Sequence, residues 1–106
     1  MDNWELIEEC IAVMEATSRA DARPYATAFL VKHAYLEELR EAGGVVANPQ
    51  TRGGTDVLWY TRLVRTEKGH HLLTKLIINK VTRMIAFKEL SDLMEADNAK
   101  ETNENV

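Results

Sequence analysis

The sequence AYLEELREAGGV occupies residues 34–45 and opens the stretch that decides the predicted fold. Leu36 and Leu39 lie three positions apart, as residues on one face of a helix do. Gly43 follows where a helix can end in a left-handed residue. The pattern predicts a helix over residues 24–42, which continues the helical spacing that begins after a proline.

Two β-rich runs follow this predicted helix. Val45 and Val46 start the first run, and residues 57–64 form the second, in which alternate side chains fall on opposite faces. Between them lies NPQTRGGTD, residues 48–56, a segment of turn-forming residues with Arg52 at its tip. A two-stranded hairpin is the economical interpretation.

Helices are also predicted at both ends of the chain. Asp2 or Asn3 can cap a first helix that ends near Thr17, and its opening turns are acidic. Thr66 is the predicted N-cap of the last helical segment, which has an almost unbroken apolar line. That segment is predicted as one long helix or as two helices broken near Ala86.

A dimer contact is predicted on the first and last helices. The apolar stripe of the first helix is broad for one modest core, and a long C-terminal helix commonly packs against its symmetry mate. The residues expected at this homodimer interface are Trp4, Ile7, Ile11, Ile77, Val81, Met84 and Phe87.

Length and composition predict one domain over residues 1–97 and a disordered acidic tail over residues 98–106. The chain has 106 residues, of which 45% are hydrophobic and 28% charged, as in ordinary globular proteins. Cys10 is the only cysteine, so internal disulfides are excluded and a reducing, cytoplasmic setting is expected. Apolar runs are too short for a membrane helix.

The net charge of −4 is unevenly distributed. Residues 1–17 carry five acidic side chains and no basic one, and residues 89–106 carry six acidic side chains and one lysine. Residues 67–88 carry five basic side chains and one glutamate. A basic middle between acidic ends produces a local field that can matter more than the total charge.

Catalysis and metal binding are not expected. The chain has no glycine-rich phosphate loop, no metalloprotease histidine–glutamate pair and no nucleophile elbow. His70 and His71 have no third histidine nearby, and Cys10 lies within an apolar stripe, as buried structural cysteines do. No enzyme activity, catalytic residue, metal or cofactor is therefore predicted.

Three segments resemble winged-helix domains and, more closely, the small YjcQ-like winged-helix family of bacteria and their phages, whose function is uncharacterised. They are the amphipathic helix over residues 4–15, LEELREAG at residues 36–43 and RLVRTEKGH at residues 62–70. The resemblance implies a mainly α fold with a small β-hairpin, a winged helix-turn-helix with an extended C-terminal helix. The helix over residues 24–42 would then split near residues 27–30, and its second part would be a recognition helix.

The first functional hypothesis is a small dimeric winged-helix protein that binds double-stranded DNA and regulates transcription in a bacterium, phage or prophage. The recognition helix would enter the major groove, the wing tip would reach the minor groove and nearby arginines would contact phosphates. The expected DNA contacts are Lys32, His33, Tyr35, Arg52, Arg62 and Arg65.

The alternative is a winged-helix protein-interaction module that binds no DNA, for example a phage-encoded inhibitor of a host defence complex. Glu37, Glu38 and Glu41 oppose DNA binding, and residues 24–39 contain no arginine, asparagine or glutamine to read bases. The position of the acidic ends separates the two hypotheses, because acidic ends beside the recognition helix would repel DNA.

Overall fold

A computed structural model describes residues 1–50 and 52–104 and shows a mainly helical α+β chain with one antiparallel hairpin. The predicted class of mainly α with a β-hairpin is confirmed at this level. Its elements are α1 (Asn3–Glu15), a 3₁₀ helix (Thr17–Ala22), α2 (Pro24–Lys32), β1 (Leu36–Ala47), β2 (Thr55–Arg65), α3 (Glu67–Ile78) and α4 (Lys80–Glu104). Within the described residues, no helix is both long and apolar enough to cross a membrane.

The predicted cap of α1 is confirmed. The Asp2 carboxylate accepts a hydrogen bond from the Glu5 amide at 2.8 Å, which satisfies a backbone donor that a helix start leaves free. The apolar stripe of α1 packs into the core, where Ile7 and Met14 are buried. The helix ends at Glu15, close to the predicted end.

The predicted helix over residues 24–42 is wrong beyond Lys32, where α2 ends. Ala34 adopts a left-handed φ of 63°, and the amides of Ala34 and Tyr35 donate to carbonyls in the last turn of α2 at 3.1 and 2.8 Å. This is the Schellman arrangement, usually built on glycine. Because the chain turns here and not at Gly43, the residues that follow pair as strand β1.

The predicted break within residues 27–30 lies instead at Arg23, between the 3₁₀ helix and α2. Pro24 is the first residue of α2, where its missing amide hydrogen costs no hydrogen bond. The Thr27 hydroxyl donates to the carbonyls of Arg23 and Ala20 at 2.9 and 3.2 Å. These bonds join the short 3₁₀ helix to α2.

The predicted hairpin is present and longer than expected, because β1 starts at Leu36 and not at Val45. The two strands pair antiparallel from Leu36 opposite Arg65 to Ala47 opposite Thr55. The register shifts beside Gly44, whose φ of 139° suits glycine alone. Gly43 is the unpaired residue at this shift, so the two glycines form a bulge within β1.

The start of α3 is confirmed and its end is corrected. The Thr66 hydroxyl accepts from the Gly69 amide at 3.0 Å, as the predicted cap requires. The predicted single helix, or break near Ala86, is wrong because the helix breaks at Asn79. The Asn79 side chain accepts from the Thr82 amide at 3.0 Å and so caps the next helix.

Helix α4 continues to Glu104, through most of the segment predicted to be a disordered tail. The segment from Ala96 onward contains no proline or glycine, and its alanines, lysine and glutamate favour a helix. The last two residues of that predicted tail lie outside the described part of the chain.

The core lies between the helices and the base of the hairpin. Gly69 is buried against the backbone of Tyr35, where a Cβ atom would overlap the Tyr35 carbonyl oxygen. This contact fixes α3 against the start of the hairpin. The larger buried side chains are Ile7, Cys10, Ile11, Val13, Met14, Phe29, Leu30, Tyr35, Leu36, Leu72, Leu76, Leu90 and Met94.

Candidate interaction surfaces

The first two predicted DNA contacts, Lys32 and His33, lie at the end of α2 and are paired with Asp97 of α4. The Lys32 Nζ atom is 3.2 Å from Asp97 Oδ1, and the His33 Nε2 atom is 2.8 Å from Asp97 Oδ2. Partial burial acts to raise the pKa of Asp97, but hydrogen bonds from His33 and Lys32 outweigh it and lower this pKa below its ordinary value. The carboxylate therefore stays charged and neutralises this end of α2.

Tyr35, the third predicted DNA contact, is fully buried. Its hydroxyl donates to Glu89 at 2.6 Å, and Lys75 donates to the other oxygen of the same carboxylate at 2.9 Å. Burial and the hydrogen bond to Glu89 raise the pKa of Tyr35. The Lys68 ammonium lies 4.4 Å from the centre of the tyrosine ring. These contacts hold α3 and α4 against the end of α2, and they leave Tyr35 no route to a DNA base.

The three predicted arginine contacts lie in three different settings. Arg62 pairs with Glu41 on the neighbouring strand at 2.9 Å. Arg65 points into the body and donates to the Met14 carbonyl at 2.7 Å. Arg52 is exposed at the hairpin tip. The six residues therefore do not form one surface, although DNA binding as such stays a prediction.

The acidic C-terminal segment lies beside α2. Asp97 contacts the last turn of α2, and the groove there is also lined by Asn3 at the start of α1 and by Tyr25 on the exposed side of α2. A further groove beside α1 is lined by three glutamates with Arg23 as the basic member. The acidic C-terminal segment thus lies beside the helix end that carries Lys32 and His33.

The predicted dimer residues divide between the core and the surface. Ile7 and Ile11 are buried in the chain's own core, so their side chains are not available to a partner. Phe87 is half-buried under Trp4, whose ring centre is 5.6 Å away. Large apolar residues are exposed where α3 meets α4, a surface we call the corner patch: Ile77, Ile78, Val81, Met84 and Ile85. Sequence reasoning missed Ile78 and Ile85.

A second apolar surface covers the part of the hairpin that projects beyond the body. We call residues 42–47 and 55–60 the distal arm. Trp59 and Val57 lie on one face of the arm, and Leu58 and Tyr60 lie on the other, since neighbouring residues of a strand alternate. The exposed large side chains of the arm are Val45, Val46, Val57, Leu58, Trp59 and Tyr60.

Sequence reasoning located these arm residues on two strand faces but did not predict that both faces would be exposed. The signal was the unbroken run from Val57 to Tyr60, which has apolar side chains at both alternations. Such a run is expected of a strand covered on both sides. Arg40 stacks over Trp59 at 4.9 Å and covers only part of the ring, since Trp59 remains 50% exposed.

The groups considered for catalysis or metal binding are dispersed. Burial raises the pKa of the Cys10 thiol to about 12, which makes it a poor nucleophile near neutral pH. His70 and His71 are exposed on the first turn of α3. The described residues include no group of three His, Cys, Asp or Glu side chains placed to hold a metal ion.

Comparison of the chain with protein-family models, with curated proteins and with solved structures finds no match.

Proposed function

We propose that this chain is a protein-interaction module whose binding element is the distal arm, and that it is neither an enzyme nor primarily a DNA reader. The observation that carries this proposal is the exposure of apolar side chains on both faces of the arm. A two-stranded hairpin alone is marginally stable in water, and strands with two apolar faces normally lie between two covering layers. The arm thus has the composition of a buried strand pair in an exposed position.

The energy available from covering the arm is comparable with the cost of association. The average exposure of four aliphatic side chains of the arm is about one half; they are Val45, Val46, Val57 and Leu58. Burying the remainder of these four side chains is worth about 3–6 kcal/mol, and Trp59 adds to that figure. Association costs about 4–15 kcal/mol, so a partner that covers both faces, or two arms that cover each other, can offset it.

The charges of the hairpin support a protein partner over DNA. Residues 36–65 contain four acidic and four basic side chains, of which Arg65 points into the body. A DNA-binding surface needs an excess of exposed basic groups, because phosphate contacts supply most of the affinity. Arg52 at the tip is an exposed cation, but Asp56 follows closely along the chain. The arm is therefore nearly neutral and mostly apolar.

Within this proposal the chain is a winged-helix domain in the broad sense. The order α1, 3₁₀ helix, α2 and hairpin is that of three helical pieces followed by a wing. The distal arm then corresponds to the wing, and α2 takes the position of the recognition helix. Asp97 lies against the end of α2 and places a negative charge there, which opposes DNA binding by that helix. In our proposal the wing therefore serves a protein contact.

A site-specific photo-crosslinker tests the proposed function in the cells that naturally make the protein. The probe replaces Trp59 in the arm or, as a matched control, Tyr25, an exposed aromatic residue on α2. We expect protease-sensitive, nuclease-resistant adducts from the arm probe and few from the control. Nuclease-sensitive adducts from either position would favour the DNA hypothesis, and equal protein adducts from both would remove the special role of the arm.

The predicted homodimer contact through the first and last helices remains a separate prediction. Trp4, Ile77, Val81 and Met84 are exposed enough to take part. The basic groups Lys80, Arg83 and Lys88 lie on the same part of α4. Two such patches facing each other would bring like charges together.

A further inference from the structure

The outer edge of β2 is free and carries few of the features that natural edge strands use to prevent pairing. The sheet has two strands, so β1 covers one edge of β2 and no third strand covers the other among the described residues. β2 contains no proline, glycine or lysine, and the bulge of the hairpin lies in β1. An edge of this kind, rich in β-branched and aromatic residues, is a template for another strand.

We propose that β2 pairs antiparallel with β2 of a second copy of this chain, with the two-fold axis at Trp59. This inference rests on the proposed function of the arm and names a partner for its free edge. The result is a four-stranded sheet in the order β1, β2, β2, β1. Each copy contributes the same edge, as a closed symmetric dimer requires.

Charge selects this register. A two-fold axis normal to the sheet leaves each side chain on the same face of the shared sheet as in the single chain. Two residues can therefore face each other across the axis only if both lie on the same face of β2. Asp56 shares a face with Arg62 but not with Arg65, the other basic residue of the strand. Only an axis at Trp59 therefore places Asp56 opposite a basic residue, Arg62 of the second copy. Symmetry repeats that pair, so the interface contains two.

The same register gives exposed side chains of the arm a neighbour. Leu58 lies opposite Tyr60 of the second copy, and the two Trp59 side chains meet at the axis. Cross-strand aromatic and apolar pairs of this kind stabilise sheets. Arg62 lies between Glu41 on its own β1 and Asp56 of the second copy, so its in-chain ion pair is kept.

The molecule leaves room for this pairing. An open groove of about 320 Å³ runs beside the base of β2 and is lined by Thr17, His70 and residues 62–65. In the proposed register Thr55 of the second copy would face Leu63 beside this groove, because antiparallel pairing brings the tip of one arm to the base of the other. The two helical bodies then lie at opposite ends of the shared sheet.

Reciprocal charge reversal tests the proposal in the full-length protein. Asp56→Arg and Arg62→Asp are made singly and together in a Glu41→Gln background, which removes the carboxylate that Arg62 pairs with on its own β1. Sedimentation equilibrium measures the dimer dissociation constant, and circular dichroism with thermal melting confirms folding. Within one chain, positions 56 and 62 are about 20 Å apart along the strand and cannot pair with each other.

We expect Glu41→Gln alone to dimerise as the unaltered chain does. Each single reversal should raise the dissociation constant roughly tenfold or more, since it places two like-charged pairs in the interface, and the double reversal should return it to within about threefold. Folded single variants with an unchanged constant, a folded double variant without recovery, or an unaltered chain that stays monomeric would each overturn the proposal. Arm adducts with a different protein would then still support the proposed function.

Discussion

The distal arm and the corner patch expose similar amounts of apolar side chain but differ in what surrounds it. The corner patch is a helix surface with Lys80, Arg83 and Lys88 nearby. The arm adds a free strand edge, and β2 carries Asp56 within the arm and Arg62 just below it. Exposed apolar side chains indicate that a surface binds a partner. A free strand edge with charges at fixed positions also predicts the register in which a second strand pairs with it.

The largest expected effect comes from placing a charge in each surface in turn. Leu58→Glu should raise the dimer dissociation constant by up to about 100-fold, because a carboxylate would replace the apolar neighbour of Tyr60 of the second copy on both sides of the axis. Met84→Glu in the corner patch should change it less than about threefold. Sedimentation equilibrium on both variants makes the comparison. The opposite ranking would assign self-association to the corner patch.

The joint between the arm and the body should affect folding without affecting association. Gly69→Ala introduces a Cβ atom that overlaps the Tyr35 carbonyl oxygen, which is backbone and cannot move aside cheaply. We expect a loss of about 2–3 kcal/mol in the free energy of unfolding, measured by urea titration. Gly53→Ala at the hairpin tip, where no atom is near, is a control for the residue change but carries its own positive-φ strain. A smaller loss at Gly69 than at Gly53 would contradict the packing described here.

The effect of replacing Ala34 on the free energy of unfolding distinguishes the observed turn from the helix that the sequence predicts. The two structures predict changes of opposite sign. In the structure, Ala34 is left-handed, so Ala34→Gly should stabilise the protein by up to about 1 kcal/mol. In a helix continuing to residue 42, the same change would destabilise it by about 1 kcal/mol. Ala28→Gly, on the exposed side of α2, is the matched control and should destabilise. Thermal and urea unfolding give the sign.

The helix predicted over residues 24–42 is wrong beyond Lys32 because local sequence patterns do not contain the interactions that form the strand. Residues 36–43 have the spacing of a helix ending in glycine, and local propensity favours that interpretation. The observed strand depends on pairing with residues 59–65, more than fifteen positions away, and on a left-handed alanine that no local rule marks. Caps made within one turn, at Asp2 and Thr66, were predictable because donor and acceptor are three residues apart.

The candidate site divides in the same way. The turn residues located the hairpin tip and Arg52 from local chemistry alone. The pairing of Lys32 and His33 with Asp97 joins positions more than sixty residues apart and had no signal in the sequence. The same holds for the contact between Tyr35 and Glu89, which buries a side chain predicted to reach DNA.

The smallest expected effect is a pH dependence of the body that the arm does not share. Burial acts to raise the pKa of Glu89, but hydrogen bonds from Tyr35 and Lys75 outweigh it and lower this pKa below 4.5. The folded state therefore binds protons less readily than the unfolded state, and the stabilisation is present above pH 4.5 and lost as the pH falls through the folded pKa. The unaltered chain should lose free energy of unfolding between about pH 6 and pH 3.5. In Glu89→Gln this loss should be smaller, by less than about 1 kcal/mol. An unchanged pH profile in this variant would argue against the contact.

Cysteine crosslinking tests most directly the claim that the chain associates through the β2 edge. Val57→Cys and Thr61→Cys are made as separate proteins, with Cys10 protected by burial. With the axis at Trp59, position 57 of one copy faces position 61 of the other at a Cβ separation of about 5 Å. Identical positions lie about 13 Å apart along the strands, too far for a disulfide.

We predict that oxidation of the mixed proteins yields a disulfide-linked heterodimer and that each protein alone yields little linked dimer. A folded mixture without the heterodimer, or equal linkage in each protein alone, would contradict the account.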